Sequence, residues 1–345
     1  METFGYRFSF GPWNIHEGAD PFGPTVRPSR TFDDKLAVYR ELGFDFVQLH
    51  DDDAVPGLDD LSAAEISRAA QALRRKLSDN GLTAEFVAPR LWEHPLTIDG
   101  AYTSNDPQAR AYAIERSKKA VAIAGELATD LIVLWLAREG TYLREAKDAT
   151  RAAHQLVEAI DVMLDCDPNV RIAVEPKPNE PMDIAYIPTM GHALALASRA
   201  SAPERVGALM ETAHAQLAGL DPADEIAFAL AFDKLWSVHL NDQNGLKYDQ
   251  DRAFGSVNIR TAFNQVRVLD ENRYWEKGVV GLDVKALRTQ PADVATKHLR
   301  NSMNVFVRLV ALSRSLDRDA VEKLIAARDY EELDWLILDH LVGGR

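Results

Sequence analysis

The stretch V-E-P-K-P-N-E-P spans Val174–Pro181 and directly follows the apolar run R-I-A-V at Arg171–Val174. Successive side chains of a β-strand point to opposite faces, so Glu175 and Lys177 project to one side. The two prolines that follow prevent the chain from continuing as a helix. A carboxylate and an ammonium are therefore presented together where a buried strand ends. This pattern is typical either of a structural ion pair on a loop or of the edge of a site that hosts chemistry.

Short apolar runs of this kind recur along the chain and alternate with longer segments whose apolar residues repeat at helical spacing. The predicted strands are Phe8–Asn14, Phe44–His50, Thr83–Pro89, Asp130–Leu136, Arg171–Lys177, Val206–Thr212, Leu235–Asn241 and Val279–Lys285. The predicted helices are Phe32–Leu42, Ala63–Asn80, Pro107–Leu127, Tyr142–Leu164, Met190–Ser198, Pro222–Phe232, Val257–Leu269 and Ala292–Leu316. This alternation of near-continuous apolar strands with helices predicts an α/β fold, a closed parallel (β/α)8 TIM barrel, rather than an open doubly wound sheet.

The barrel is predicted to occupy residues 1–316 and to be the catalytic domain. Residues 317–345 are predicted to form a short helical tail with apolar Leu333, Trp335, Leu336, Ile337 and Leu341. Such a tail either packs on its own barrel or contacts a neighbouring subunit.

Composition excludes several classes of function. The chain has 345 residues, 46% of them hydrophobic, and a net charge of −14, so a large core is available and nucleic acid and anionic membranes are disfavoured as partners. The single cysteine, Cys166, excludes an intrachain disulfide, and the first residues show no signal-peptide pattern, so a cytoplasmic location is expected. Dinucleotide and nucleotide triphosphate sites have no support, because neither G-x-G-x-x-G nor a P-loop is found.

Active sites of TIM barrels lie at the carboxyl ends of the strands. Ionisable and aromatic residues stand at nearly every predicted strand end, which indicates one common site: Trp13, His50 with Asp53, Trp92, Trp135, Glu175 with Lys177, Glu211 with His214, His239 with Asn241, and Asp283.

A divalent metal is expected in this site. Carboxylates that lie together repel each other unless a cation neutralises them, and oxygen ligands with one imidazole suit Mg²⁺, Mn²⁺ or Co²⁺. The first predicted ligand set is Glu175, Glu211, His239 and Asp283. A second set with Glu211 as the bridge is Glu211, His214, Asp249 and Asp251, although Asp249-x-Asp251 taken by itself is more typical of a solvated loop.

His50 precedes three successive aspartates, Asp51, Asp52 and Asp53. A carboxylate that accepts the imidazole N–H fixes the tautomer and raises basicity, and Asp53 is the predicted partner; the three aspartates are also typical of a helix start. Trp13, Trp92 and Trp135 are interpreted as flat apolar walls of a sugar pocket, although a single tryptophan is more often part of a core.

The chain resembles xylose isomerases of the shorter, actinobacterial type. The matching stretches cover nearly the whole chain in unbroken order: F-G-P-W at Phe10–Trp13, D-P-F-G at Asp20–Gly23, H-D-D-D at His50–Asp53, R-E-G at Arg138–Gly140, V-E-P-K-P-N-E-P at Val174–Pro181, G-H-A-L-A at Gly191–Ala195, H-A-Q-L-A-G-L at His214–Leu220 and Q-N-G-L-K-Y-D-Q-D at Gln243–Asp251.

The resemblance implies interconversion of an aldose and a ketose by a metal-assisted hydride shift between adjacent carbons, with two divalent metal ions per subunit and no organic cofactor. It implies the two ligand sets above, a hydrogen bond from Lys177 to the substrate carbonyl oxygen, and ring opening assisted by His50 and Asp53. It further implies that Phe22 reaches into a neighbouring subunit's site and that the chain is a homotetramer, or a dimer because its C-terminal arm is shorter.

Several positions depart from the family pattern. His239 stands where the family has aspartate, and Trp92 stands where it has phenylalanine. Ala88, Leu136 and Met182 replace a threonine, a glycine and an arginine of the pocket. These changes predict an altered metal preference and a sugar other than xylose.

Three other functions compete with the isomerase. A sugar epimerase or isomerase on the same scaffold would act on a different sugar by proton transfer. A catalytically idle sugar- or metal-binding protein would bind without turnover. A barrel nuclease with a metal cluster is disfavoured by the acidic surface and by Lys177.

Overall fold

The computed structural model describes residues 2–20 and 22–343. Its strands are β1 (Phe8–Phe10), β2 (Phe46–His50), β3 (Thr83–Ala88), β4 (Leu131–Trp135), β5 (Gly140–Thr141), β6 (Arg171–Glu175), β7 (Ile184–Ala185), β8 (Val206–Glu211), β9 (Leu235–Leu240) and β10 (Val280–Leu282). Its helices are α1 (Phe32–Leu42), α2 (Asp51–Ala54), α3 (Ala63–Asp79), α4 (Pro107–Leu127), α5 (Ala149–Cys166), α6 (Met190–Ala197), α7 (Thr212–Leu217), α8 (Pro222–Ala231), α9 (Ile259–Glu271), α10 (Lys297–Ser315), α11 (Arg318–Ala327) and α12 (Tyr330–Gly343).

The strands form a closed barrel in the order β1-β10-β9-β8-β6-β4-β3-β2, and the paired strands are parallel. Each of the eight barrel strands is connected to the next barrel strand by at least one helix, which packs on the outside of the barrel. The remaining two strands, β5 and β7, form a small antiparallel ribbon. The prediction of a (β/α)8 barrel is therefore confirmed. Parallel strands need crossover connections, and here the helices that make these connections cover the outside of the barrel.

The register of the barrel places chemically important residues side by side. Trp135 is opposite Glu175 on the neighbouring strands β4 and β6. Glu211 is opposite His239 on β8 and β9. Because residues opposite each other in a parallel pair lie at the same height, the carboxyl ends of these strands bring their last side chains to one mouth.

All of the predicted barrel strands are present, but most end before their predicted limits. The helix predicted over Tyr142–Leu164 is wrong at its start, because Arg144–Ala146 forms only a 3-10 turn and α5 begins at Ala149. Asp148 accepts hydrogen bonds from the backbone N–H groups of Thr150 and Arg151 and so fixes this start as an N-cap.

Two other helices also begin later than predicted. Residues 292–296 form turns in which backbone hydrogen bonds join residues three apart, so α10 begins at Lys297 rather than Ala292. The backbone N–H groups of Val257 and Asn258 bond the Asp242 carboxylate, and Asn258 caps α9, which therefore begins at Ile259 rather than Val257.

The tail consists of α11 and α12, which lie against the barrel. Ile337 is buried in the core, and Leu333, Leu336 and Leu341 pack against the core around it. The imidazole of His340 bonds the backbone carbonyl of Leu312 at 2.8 Å. Among the described residues, no helix is both long and apolar enough to cross a membrane.

Candidate metal centre and sugar pocket

A cluster of acids and imidazoles lies at the carboxyl ends of β6, β8, β9 and β10. His239 Nδ1 is 3.5 Å from Glu175 Oε1 and 3.5 Å from Glu211 Oε2. Donor atoms of Glu211, His239 and Asp283 all lie within 4.8 Å of one another. The structure thus brings the first predicted ligand set to one place.

The second predicted set lies directly beside the first. His214 Nε2 is 3.2 Å from Glu211 Oε1 and 3.1 Å from Asp249 Oδ2. Donor atoms of Glu211, Asp249 and Asp251 again lie within 4.8 Å of one another. Asp251 is buried and Asp249 is mostly buried, so these two side chains face inward, although residues 244–248 of the same loop are exposed. Glu211 is common to both sets.

The buried carboxyl groups of the cluster hold protons unequally. Burial opposes ionisation of Glu175, yet the charge of the nearby His239 imidazole lowers the pKa of Glu175 to about 2. Burial, together with the Asp249 and Asp283 carboxylates, raises the pKa of Glu211 well above its usual range. Without a bound cation, ionisation of Glu211 is therefore disfavoured relative to that of Glu175, as is usual for closely placed carboxylates.

The donor set fits a divalent cation. Both ring nitrogens of His239, Nδ1 of His214 and Oδ1 of Asp249 are buried and have no hydrogen-bond partner among the described residues. Buried polar atoms normally have partners, and here the orphaned atoms converge with carboxylate oxygens on one region. Carboxylate oxygens with imidazole nitrogens form a ligand set for Mg²⁺, Mn²⁺, Co²⁺ or Zn²⁺.

Two lysines flank the acids. Lys177 Nζ donates to Asp249 Oδ2 at 2.9 Å and lies 3.5 Å from Glu180 Oε2. Burial opposes its charge, but the adjacent Asp249 and Glu180 carboxylates raise the pKa of Lys177, so it stays an ammonium. On the other side, the ammonium of Lys285 bonds the Asp251 carboxylate.

Aromatic rings lie beside the cluster. The His50 ring lies between Trp13, with centroids 4.2 Å apart, and Trp92, at 5.1 Å. Trp92 packs edge-on against Trp135 at 4.5 Å, and Lys177 Nζ lies 5.1 Å above the Trp135 ring. The three predicted tryptophans therefore form one continuous wall that ends at the catalytic lysine candidate.

Local sequence explains how Trp13 reaches this wall. Its ring folds back over Gly11, where a Cβ atom would lie 2.2 Å from the ring, so only glycine leaves room. The indole Nε1–H of Trp13 donates to Asp283 Oδ1 at 3.0 Å, and the amide of Asn14 donates to the same oxygen at 2.8 Å. The loop after β1 thus orients a proposed ligand as well as the wall.

The three aspartates after His50 have three different partners. Asp51 is fully buried and makes a two-point contact with Arg116, at 2.8 and 2.9 Å. Asp52 Oδ1 lies 3.2 Å from Arg90 Nε. Asp53 Oδ2 lies 3.0 Å from His50 Nδ1, as predicted. The run is also the start of α2, so both interpretations of it apply.

Asn241 and Phe22, which were also predicted to bind the substrate, do not face the site in this structure. The amide of Asn241 is fully buried, donates to Glu211 Oε1 at 2.9 Å and accepts from the backbone of Ala213 at 2.8 Å. It therefore orients a ligand in this structure rather than facing the pocket. Phe22 is 86% exposed and has no ring contact with the described pocket residues.

Sequence reasoning missed Arg90, Lys285 and Asn14. A signal for Lys285 was present, because it follows Asp283 by two residues, as Lys177 follows Glu175, and such residues share one face. Asn14 stands next to Trp13 and carried no signal of its own. Arg90 lies two residues beyond β3, where the chain leaves the strand, and no periodic pattern indicates its direction.

A cavity of about 590 Å³ opens at the opposite, amino-terminal end of the barrel. It is lined by the first residues of several strands, among them Phe46, Thr83, Leu131 and Arg171. None of the predicted site residues lines it. Its size alone does not make it the active site, because the acids, imidazoles and lysines converge at the other end.

Comparisons with known proteins agree with this architecture. Residues 36–302 match the family described as "Xylose isomerase-like TIM barrel". A xylose isomerase domain protein from Alicyclobacillus acidocaldarius subsp. acidocaldarius is similar in structure, with a TM-score of 0.63 and 17% identity over 90% of this chain and 100% of that one.

Two further solved structures are similar. The IOLI protein with a binding zinc atom has a TM-score of 0.64 and 14% identity over 88% of this chain and 98% of that one. The D-psicose 3-epimerase from Clostridium cellulolyticum H10, solved with D-tagatose, has a TM-score of 0.55 and 15% identity over 90% of this chain and 98% of that one. At these identities the likeness shows the fold.

Proposed function

The chain belongs to the xylose isomerase-like TIM barrel family, and from this premise we propose that it is a metal-dependent sugar isomerase. The proposed reaction interconverts an unphosphorylated aldose and its ketose by a hydride shift between adjacent carbons. The observation that carries this proposal is the contact of Lys177 with Asp249, which places a permanent cation directly beside the two ligand sets that share Glu211.

In this proposal Glu175, Glu211, His239 and Asp283 hold one divalent ion, and Glu211, His214, Asp249 and Asp251 hold a second. When bound, the ions supply Lewis-acid stabilisation of negative charge on two adjacent substrate oxygens. The carboxylates of both sets would then be neutralised by a bound cation rather than repel one another. The orphaned nitrogens of His239 support this assignment. The zinc atom of the IOLI protein suggests that Zn²⁺ be tested with Mg²⁺, Mn²⁺ and Co²⁺.

The proposed role of Lys177 is to donate a hydrogen bond to the substrate carbonyl oxygen as charge develops there. Its position over Trp135 and against Asp249 fixes the ammonium, so little reorganisation is needed during the reaction. The aromatic wall of Trp13, Trp92 and Trp135 covers the apolar face of the sugar and excludes water. A carboxylate pairs with each of Lys177, Lys285 and Arg90. Their charges are therefore already neutralised, which favours an unphosphorylated sugar.

A second mechanism has a specific observation in its favour. Two adjacent carboxyl groups, Glu175 and Glu211, have pKa values displaced in opposite directions, since His239 lowers the first against the effect of burial and burial raises the second. Such a pair is suited to give and take a proton. An epimerase or isomerase that works by proton transfer would use it, and structural neighbours include D-psicose 3-epimerase and L-ribulose 3-epimerase.

Isotope retention distinguishes the mechanisms. Purified protein is incubated with each divalent ion and a panel of aldoses deuterated at carbon 2, and the products are analysed by NMR. A hydride shift retains deuterium on carbon 1 of the ketose, whereas proton transfer through an enediol exchanges it with solvent. Sugar binding without conversion across the panel would establish the idle binding protein instead. Lys177→Met should lower kcat by roughly 10²–10³ or more with the ions still bound, and Lys76→Met on the surface should not.

We also propose that residues 317–345 form an arm for a homo-oligomer. Trp335, Leu338 and Val342 are 60%, 41% and 75% exposed, on the side of α12 away from the buried Ile337. Their spacing of three and four residues makes one apolar stripe on the helix. Light scattering should show a dimer or tetramer that Trp335→Glu dissociates, whereas Glu332→Gln should not; a monomeric wild type would contradict the proposal. Location in a reducing cytoplasm stays a prediction from the single cysteine.

A further inference from the structure

Nδ1 of His50 has two neighbours that make opposite demands on it. Nη2 of Arg90 lies 2.6 Å from this nitrogen. Oδ2 of Asp53 lies 3.0 Å from the same nitrogen. A guanidinium has only donors and is not deprotonated in proteins, so its contact requires a lone pair on Nδ1. A carboxylate accepts, so its contact requires a proton on Nδ1. One nitrogen cannot satisfy both demands at once.

Arg90 is held firmly in this place. Its backbone N–H donates to Asp51 Oδ1 at 3.1 Å, and its Nε lies 3.2 Å from Asp52 Oδ1. Asp51 is itself locked by its two-point contact with Arg116. The ion pairs of the guanidinium with Asp52 and with Glu93, whose Oε2 lies 3.6 Å from Nη1, therefore favour the position in which Nη2 meets the imidazole. With this cation among them, His50, Asp52 and Asp53 do not need a metal ion, although their donor atoms lie within 4.8 Å of one another.

Asp53 does not depend on a proton from the imidazole. Its Oδ2 accepts from the backbone N–H of His50 at 3.2 Å and from Nη2 of Arg90 at 3.5 Å. The carboxylate thus has donors other than the imidazole, whereas the 2.6 Å contact of Arg90 Nη2 requires a lone pair on Nδ1.

We propose that Arg90 is a positioning residue that holds neutral His50 with its proton on Nε2. His50 then presents an N–H donor between Trp13 and Trp92. This N–H donates a hydrogen bond to a hydroxyl or ring oxygen of the sugar. This is the opposite of the role that pairing with Asp53 alone would give, in which Nε2 is a base. The inference rests on the proposed function for the identity of the ligand, but the tautomer itself does not.

The tautomer is measured directly by ¹⁵N NMR of histidine-labelled protein, free of metal and substrate, at about pH 8, above the ordinary pKa of histidine near 6.5. His50→Gln identifies its signals among those of the nine histidines. We expect Nε2 of His50 to carry the proton in the wild type. In Arg90→Met we expect Nδ1 to acquire the proton, because Asp53 then has no competitor. Arg138→Met is the matched control, since Arg138 bonds the Trp92 backbone at the same wall, and it should leave the tautomer unchanged.

A wild-type His50 with its proton on Nδ1 overturns the proposal, whether or not any variant folds. An Arg90→Met protein that keeps the proton on Nε2 also overturns it, because Arg90 would not be the cause. Neither result bears on the proposed isomerase activity, since the measurement uses no sugar and no metal. Conversely, a protein that converts no sugar leaves the NMR result intact.

Discussion

The ammonium of Lys285 donates a hydrogen bond to the carboxylate of Asp251, so the chain supplies its own cation to one side of the acidic cluster. Asp251 is buried, whereas the Lys285 side chain is 43% exposed. A metal ion in the second ligand set would share this carboxylate with the lysine. The pair therefore links the stability of the protein to metal binding.

Lys285→Met should destabilise the metal-free protein, and bound metal should restore the lost stability. We expect the free energy of unfolding to fall by about 1–2 kcal/mol. This is less than the roughly 3–5 kcal/mol lost when a fully buried ion pair is broken, because water screens the lysine. Thermal unfolding in chelator and in excess Mn²⁺ measures the difference. Lys76→Met removes an exposed pair with Asp33 and is the control. If both variants lose the same stability in chelator, the Lys285 contact has no special role.

Glu211→Gln should weaken both ligand sets together. Glu211 contributes to each of them. Loss of a residue that only hydrogen-bonds a metal ligand lowers metal affinity roughly tenfold or more, so loss of this ligand's charge should lower it by at least as much. Calorimetric titration with Mn²⁺ measures both sites. Glu126→Gln, a change in a surface carboxylate bonded to Ser67 and Gln71, is the control. Unchanged affinity at either site would refute Glu211 as the bridge.

Gly281→Ala tests the packing beneath His239. A Cβ atom at Gly281 would lie 2.4 Å from Gln48 Nε2, 2.5 Å from the Val238 carbonyl oxygen and 3.2 Å from His239 Cδ2. Because the backbone contact cannot yield easily, we expect a destabilisation of about 1–3 kcal/mol and weaker metal binding through a displaced imidazole. Urea unfolding and Mn²⁺ titration measure the two effects.

Gly125→Ala is the matched control for this change. Gly125 lies inside α4, and the nearest atom to a methyl group added there would be Asp167 Oδ2 at 4.0 Å. Alanine should stabilise the helix at this position by up to about 1 kcal/mol. Equal stability of the two variants would show that Gly281 is not tightly confined.

Glu85 should make stability fall as pH rises. It accepts from Gln48 Nε2 at 3.1 Å and Ser237 Oγ at 2.7 Å inside the barrel, and burial raises its pKa above the ordinary 4.5 in spite of these bonds. Its folded pKa exceeds its unfolded pKa, so its contribution is fully present below the unfolded value. That contribution is lost as pH rises towards the folded value, by about 1.4 kcal/mol for each unit between the two.

Glu85→Gln should remove this pH dependence. Urea unfolding in chelator between about pH 4.5 and pH 8 should show the variant gaining stability relative to the wild type as pH increases. Glu158→Gln, on the exposed side of α5, should show no such trend. Parallel curves for the wild type and Glu85→Gln would mean that Glu85 is ionised in the folded protein.

The sequence predicted the barrel because each strand had an apolar run and each helix had periodic apolar residues. It predicted the ligand positions because Glu175, Glu211 and His239 end such runs, and a closed barrel brings strand ends together. It paired Asp53 with His50, as the structure does, but could not find the partners of Asp51 and Asp52. Those partners, Arg116 and Arg90, come from a distant helix and from an irregular loop, and only the folded chain places them.

The aromatic wall and the proposed metal ligands of this site come from different parts of the chain. Trp13, His50, Trp92 and Trp135 precede residue 140, whereas the proposed ligands all fall between Glu175 and Asp283. Substitutions at His50, Trp92 or Trp135 can therefore change which substrate fits without touching the proposed metal ligands, whereas Trp13 and Asn14, which donate to Asp283, belong to both parts. A chimaera that joins the first half of a relative to the second half of this protein, with Trp13 and Asn14 retained, would take its substrate preference from one parent and its metal preference from the other.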